Sequence, residues 1–63
     1  MYEIGDIVRF RPWSNKPWEE GEWIILTVNT ERFNHEEYHS YTIQNLETKK
    51  CQYEVNWQQI ELI

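Results

Sequence analysis

Apolar and polar residues alternate along most of this chain at the two-residue period of half-buried β-strands. "IVRF" places Val8 and Phe10 on one face and Arg9 on the other. Gly5-Asp6 reads as the turn before it, and Pro12, with no N–H to give a ladder, ends it. "EWIILTVN" predicts the second strand, with Ile24, Leu26 and Val28 inward and Trp23, Ile25 and Thr27 outward. Large groups on both faces predict a strand that is central or covered by a loop. "EYHSYTIQNL" predicts a third strand carrying His39, Tyr41 and Ile43 on one face, and "NLETKK" a hairpin turn. "KKCQYEV" predicts a fourth strand with Cys51, Tyr53 and Val55 inward. "NWQQ" predicts one turn of 3₁₀ helix, and "IELI" a last strand with Ile60 and Leu62 on one face. Two polar stretches separate these elements: a long Pro-containing loop over 12–22 and a second loop at "TERFNHEE". The expected core is Val8, Phe10, Ile24, Leu26, Val28, Tyr41, Ile43, Val55, Ile60 and Leu62.

Five short strands in 63 residues predict one all-β domain, closed or nearly closed into a small barrel. Closure suits so short a chain because it removes exposed strand edges. A chain of this size buries only about 60% of its unfolded surface. Disulfides within the chain are excluded, because Cys51 is the only cysteine. Four Trp, four Tyr and two Phe offer an aromatic substitute for that staple.

Charge narrows the function. Eleven acids against six bases give a formal charge of −5, which disfavours non-specific nucleic-acid binding and suits a basic partner or plain solubility. Met1-Tyr2-Glu3 lacks a basic start and no apolar run exceeds four residues. Neither a signal peptide nor a membrane span is therefore expected. With a lone thiol, the expected location is cytoplasmic.

Two segments resemble the SH3-like small barrels, including the Tudor and Agenet groups. "GDIVRF" is similar to their Gly-Asp-x-Val-x-aromatic opening, and "YEVNWQQIELI" to their ending, where an apolar strand residue, a 3₁₀ turn and a terminal apolar pair close the barrel. The resemblance implies a five-stranded SH3-like barrel over 1–63, with a long first loop and a 3₁₀ turn before the last strand. It further implies a stand-alone binding module of the kind found as bacterial or phage accessory and inhibitor proteins. The early Ala-Leu-Tyr-Asp-Tyr-like stretch and the Trp pair of Src-type SH3 domains are absent.

The candidate binding site is "RPWSNKPWEEGEW". Trp13, Trp18 and Trp23 supply flat apolar faces, and Glu19, Glu20 and Glu22 ring them with negative charge. Such surfaces receive extended Pro-rich or basic peptides. Tyr38 is expected on the neighbouring outer face. The competing reading makes Trp13 and Trp18 a structural lid over the barrel. The alternative function is a nucleic-acid-associated barrel using Arg9, Arg11, Lys16, Lys49 and Lys50 beside exposed aromatics. No metal site is expected: His35, Glu36, His39 and Cys51 lack the spacing of a structural zinc site. No cofactor and no catalytic set is expected either. The plasmid-type trimethoprim-resistant reductase barrels use a Val-Gln-Ile-Tyr stretch, of which Cys51-Gln52-Tyr53-Glu54 retains only Gln52.

Overall fold

The computed structural model describes residues 1–63 as an all-β chain of five antiparallel strands in one sheet. The strands are β1 (Ile7–Phe10), β2 (Trp23–Phe33), β3 (Glu36–Asn45), β4 (Cys51–Val55) and β5 (Ile60–Leu62), ordered β4-β3-β2-β1-β5. A 3₁₀ turn, Trp57–Gln59, leads into β5. The sheet is not closed: β4 and β5 are its two edges. No helix is long and apolar enough to cross a membrane.

The core is one cluster on one face of the curled sheet: Val8, Phe10, Trp23, Ile25, Tyr41, Ile43, Val55 and Ile60. Tyr2 seals one end, its ring edge-on to Tyr41 at 5.6 Å and its hydroxyl donating to the Ile60 carbonyl at 3.1 Å. Phe10 packs against Trp23 at 5.1 Å. The indole N–H of Trp23 is buried without an acceptor, an arrangement that costs about 1–3 kcal/mol and persists because the ring fills the core.

β2 corrects the expected phase. Ile25 is buried and Leu26 is 38% exposed. The cause is a β-bulge. Ile25 pairs with Ile43 and Thr27 with Thr42, leaving Leu26 as the extra residue. One inserted residue swaps the faces, so Trp23 and Ile25 point inward before the bulge and Val28 after it. Leu62, also expected inside, is 55% exposed: it lies at the far end of the edge strand β5, of which only Ile60 reaches the core. β4 is likewise out of phase. Cys51 pairs with Gln44 and Gln52 with Ile43, so Cys51 lies half-buried on the outer face. Glu54, at φ +52°, inserts the residue that returns Val55 to the core opposite Tyr41.

The expected loop at "TERFNHEE" is instead a continuation of the β2–β3 hairpin. Pairing runs without a break from Thr27–Thr42 out to Phe33–Glu36. Asn34 and His35, both at positive φ (49° and 66°), make a two-residue turn. That geometry matches the right-handed twist of the flanking strands. β1 reaches only Trp23 and Ile24, and β4 only Tyr41 to Gln44. Residues 29–38 therefore project as a two-stranded arm, exposed along their whole length.

Candidate functional site

Loop 11–22 has no regular structure, yet it is tied down. The Arg11 amide donates to the Gln59 carbonyl at 2.9 Å, and the Glu19 amide to the Phe10 carbonyl at 2.7 Å. The Gln59 side chain donates to the Pro12 carbonyl at 2.8 Å. The loop's far end is held by Leu46, whose amide donates to the Glu22 carbonyl at 3.0 Å. Gly21 sits there at φ +98°, where a β-carbon would lie 3.1 Å from Asn45 Nδ2. Asn45 is itself buried, its carboxamide oxygen accepting the Glu47 and Thr48 amides. The positive φ favours glycine, and a β-carbon would also press on the Asn45 carboxamide.

The 3₁₀ turn is the second support. Asn56 caps it by accepting the Gln58 amide at 2.9 Å, and Gln59 Oε1 accepts the Asn56 amide at 3.0 Å. This box fixes a turn otherwise too short to hold itself. Three grooves meet at the turn. The first lies between Arg11, Ser14, Trp18 and Trp57. The second, about 790 Å³, runs under the hairpin arm between Tyr2, Tyr38, Tyr41, Trp57 and Leu62. The third lies between Pro12, Trp13, Glu19, Tyr53 and Glu54.

The two Pro-Trp pairs have different fates. Trp13 is 64% exposed and lines the third groove. Trp18 is half-buried beneath two guanidiniums, those of Arg9 and Arg11 lying 4.4 and 4.1 Å from its ring centre. Arg9 also pairs with Glu61 at 2.7 Å, and Arg11 Nε donates to the Gln58 carbonyl at 3.0 Å. Trp18 is thus a clasp joining loop, β1 and turn. Trp23 is 4% exposed, so it belongs to the core and offers no face to a partner. Glu19 lines the third groove, while Glu20 and Glu22 are exposed and line none. Tyr38 stands on the arm, donating to Glu36 at 2.6 Å. That bond, followed by desolvation, raises the Tyr38 phenol above its ordinary value. Burial raises the Tyr2 phenol, assisted by Tyr41 and Glu61.

Trp57 and Tyr53, 66% and 71% exposed, complete the surface and were not among the expected site residues. Their signal was present. Trp57 is flanked by Asn56, Gln58 and Gln59 in a single turn too short to fold its ring back into the core. The expected Arg/Lys strip is divided. Arg9 and Arg11 belong to the Trp18 clasp, while Lys49 and Lys50 precede β4, with β2 and β3 between β4 and β1. No group of three or more His, Cys, Asp and Glu side chains is placed to hold a metal ion. No protein family, curated protein or solved structure matches this chain.

Proposed function

We propose that this chain is a non-catalytic protein-binding module of SH3-like architecture, receiving an extended basic or Pro-rich segment in the third groove. The strand order supports the architecture, because β5 returns beside β1 directly after the 3₁₀ turn. The observation that carries the function is the pairing of exposed aromatics with unpaired acids. Trp13 and Tyr53 line one groove with Glu19 and Glu54, and neither acid has an ion-pair partner. Aromatic faces beside carboxylates receive cationic side chains and the flat rings of proline. Trp18, already covered by two arginines, is not part of this receiving face. The lone thiol supports a cytoplasmic setting, and the small size an accessory or inhibitor role of bacterial or phage type.

The test is a titration of labelled protein with a blocked peptide of alternating Pro and Arg, followed by NMR. Shifts should centre on Trp13, Tyr53 and Glu19. Trp13→Ala should weaken binding about tenfold or more, as loss of an anchoring tryptophan does, while the thermal midpoint stays put. Binding that ignores Trp13, or no binding at millimolar peptide, overturns the reading.

A further inference from the structure

Among the six cations of the chain, Arg11 stands alone in being both immobilised and unpaired. Arg9 is paired with Glu61 and Arg32 with Glu37, each at 2.7 Å. Lys16, Lys49 and Lys50 are exposed and make no side-chain hydrogen bond, so their flexible stems hold no fixed geometry. Arg11 is held at three points: its amide on the Gln59 carbonyl, its Nε on the Gln58 carbonyl and its guanidinium stacked on Trp18 at 4.1 Å. Its two terminal nitrogens have no acceptor in the protein, and the residue lines the first groove. Ser14, whose hydroxyl is also without a partner, lines the same groove, as does the exposed Trp57.

Charge in that groove is reversed relative to the rest of the molecule. Glu61 is the one acid lining it, and Arg9 already neutralises it. Arg11 is therefore an unopposed positive charge in a protein of net −5. A stacked guanidinium with its terminal nitrogens free presents the planar fork that matches a carboxylate, and ordering it beforehand reduces the entropy lost on binding. A dianion such as phosphate would want more than one unpaired cation and would be repelled by the chain's net charge of −5. The groove, about 300 Å³, is open to solvent, so it covers a free small molecule on one side only, whereas a residue of a longer chain is held by its neighbours as well.

We infer that the first groove binds a carboxylate of a protein partner, an Asp or Glu side chain or a C-terminal carboxylate, on the terminal nitrogens of Arg11. The partner's adjoining apolar group then rests on Trp57, and Ser14 adds a donor. This site lies across the 3₁₀ turn from the Trp13–Tyr53 groove and selects the opposite charge. A partner that fills both carries a basic stretch at one end and an acid at the other, which fixes its direction.

The test uses three blocked dipeptides and inorganic phosphate, followed by NMR at Arg11 Nε–H and the Trp18 and Trp57 indoles. N-acetyl-prolyl-phenylalanine carries a free C-terminal carboxylate. N-acetyl-phenylalanyl-glutamate amide carries only a side-chain carboxylate, and N-acetyl-prolyl-phenylalanine amide carries none. Saturable shifts are expected with at least one of the two acids, the stronger identifying the source, and not with the uncharged amide. Arg11→Gln should abolish them. Arg11→Lys, which keeps a cation over Trp18 but loses the fork, should weaken them at least fivefold. Should Arg11→Gln loosen the loop, Trp57→Ala in the otherwise intact protein should weaken binding in its place. Equal shifts from the amide, equal shifts from phosphate, no shift from either acid, or binding indifferent to both Arg11→Lys and Trp57→Ala would each overturn the inference. The probes contain no basic residue, so their failure leaves the basic-segment reading of the Trp13 groove standing, and failure of that reading leaves this one.

Discussion

Loop 11–22 and the hairpin arm 29–38 invert the usual relation between regularity and support. The loop has no strand or helix, yet it is hydrogen-bonded to β1, to the 3₁₀ turn and to Leu46, and its Trp18 is clasped by two arginines. The arm is fully paired, yet only with itself, and none of its residues is buried. An isolated two-stranded hairpin is marginal in water. The arm therefore persists by continuation from the sheet and through local bonds such as Arg32–Glu37 and Thr30–His39. Regular backbone pairing gives shape; side-chain burial and cross-links give rigidity.

The largest effect should appear at the bulge, where the hairpin passes from core to arm. Ile25→Ala removes a fully buried side chain and should destabilise the protein by roughly 2–5 kcal/mol. Leu26→Ala, one residue along, should cost less than about 1 kcal/mol, since its side chain stands on the outer face and its loss opens no cavity in the core. Chemical denaturation of the two variants measures this directly. Equal losses, or the reverse order, would mean that the bulge is misplaced and that β2 alternates without interruption.

A smaller contrast should separate the two regions themselves. Trp18→Ala removes two guanidinium–ring contacts, each worth about 0.5–2 kcal/mol according to its desolvation, and should lower the thermal midpoint by several degrees. It should also speed hydrogen exchange at the Glu19 and Arg11 amides, because both donate from the clasped loop to carbonyls outside it, those of Phe10 and Gln59. Phe33→Ala, at the arm's tip, should change stability by no more than about 0.5 kcal/mol. The arm amides should exchange fast in both variants, as local openings do where little is buried. A stable Trp18→Ala variant with unchanged exchange would show that the backbone bonds alone hold the loop.

The strand count, the long first loop and the 3₁₀ turn were legible because alternation and Pro punctuation are local signals. Six expected core positions, Val8, Phe10, Tyr41, Ile43, Val55 and Ile60, are buried. The misread phases of β2 and β4 have one physical source. A bulge leaves the alternation pattern intact while exchanging its faces, so "WIIL", apolar on both sides, supports either phase. Asn34-His35 lacks the glycine that marks a two-residue hairpin turn, and the arm's polar residues resemble a loop because both strand faces meet water. At the site, composition located Trp13 and Glu19 in the loop. It could not foresee that Trp18 would be covered by Arg9 of β1 and Arg11 just beyond it, nor that Trp57 and Tyr53 would arrive beside the loop through tertiary folding.

The smallest effect belongs to the arm alone and tests its independence from the rest. Tyr38 donates its hydroxyl hydrogen to Glu36 at 2.6 Å, and this raises its phenol above the ordinary value, about 10. A raised value in the folded state means that the bond's contribution is complete below the unfolded value. The contribution is lost as pH climbs through the raised one. Tyr38 is solvent-exposed, so the effect is confined to local geometry. Between neutral pH and about 9 nothing should change; above about 10, the Tyr38 ring signals should titrate late and the Glu36–Tyr38 contact should open. Glu36→Ala should bring the titration back toward the ordinary range without altering the denaturation midpoint at neutral pH. Titration unchanged by Glu36→Ala would place the cause elsewhere. A neutral-pH midpoint lowered by the same substitution would show that the arm supports the sheet, and the contrast between tethered loop and free arm would fail.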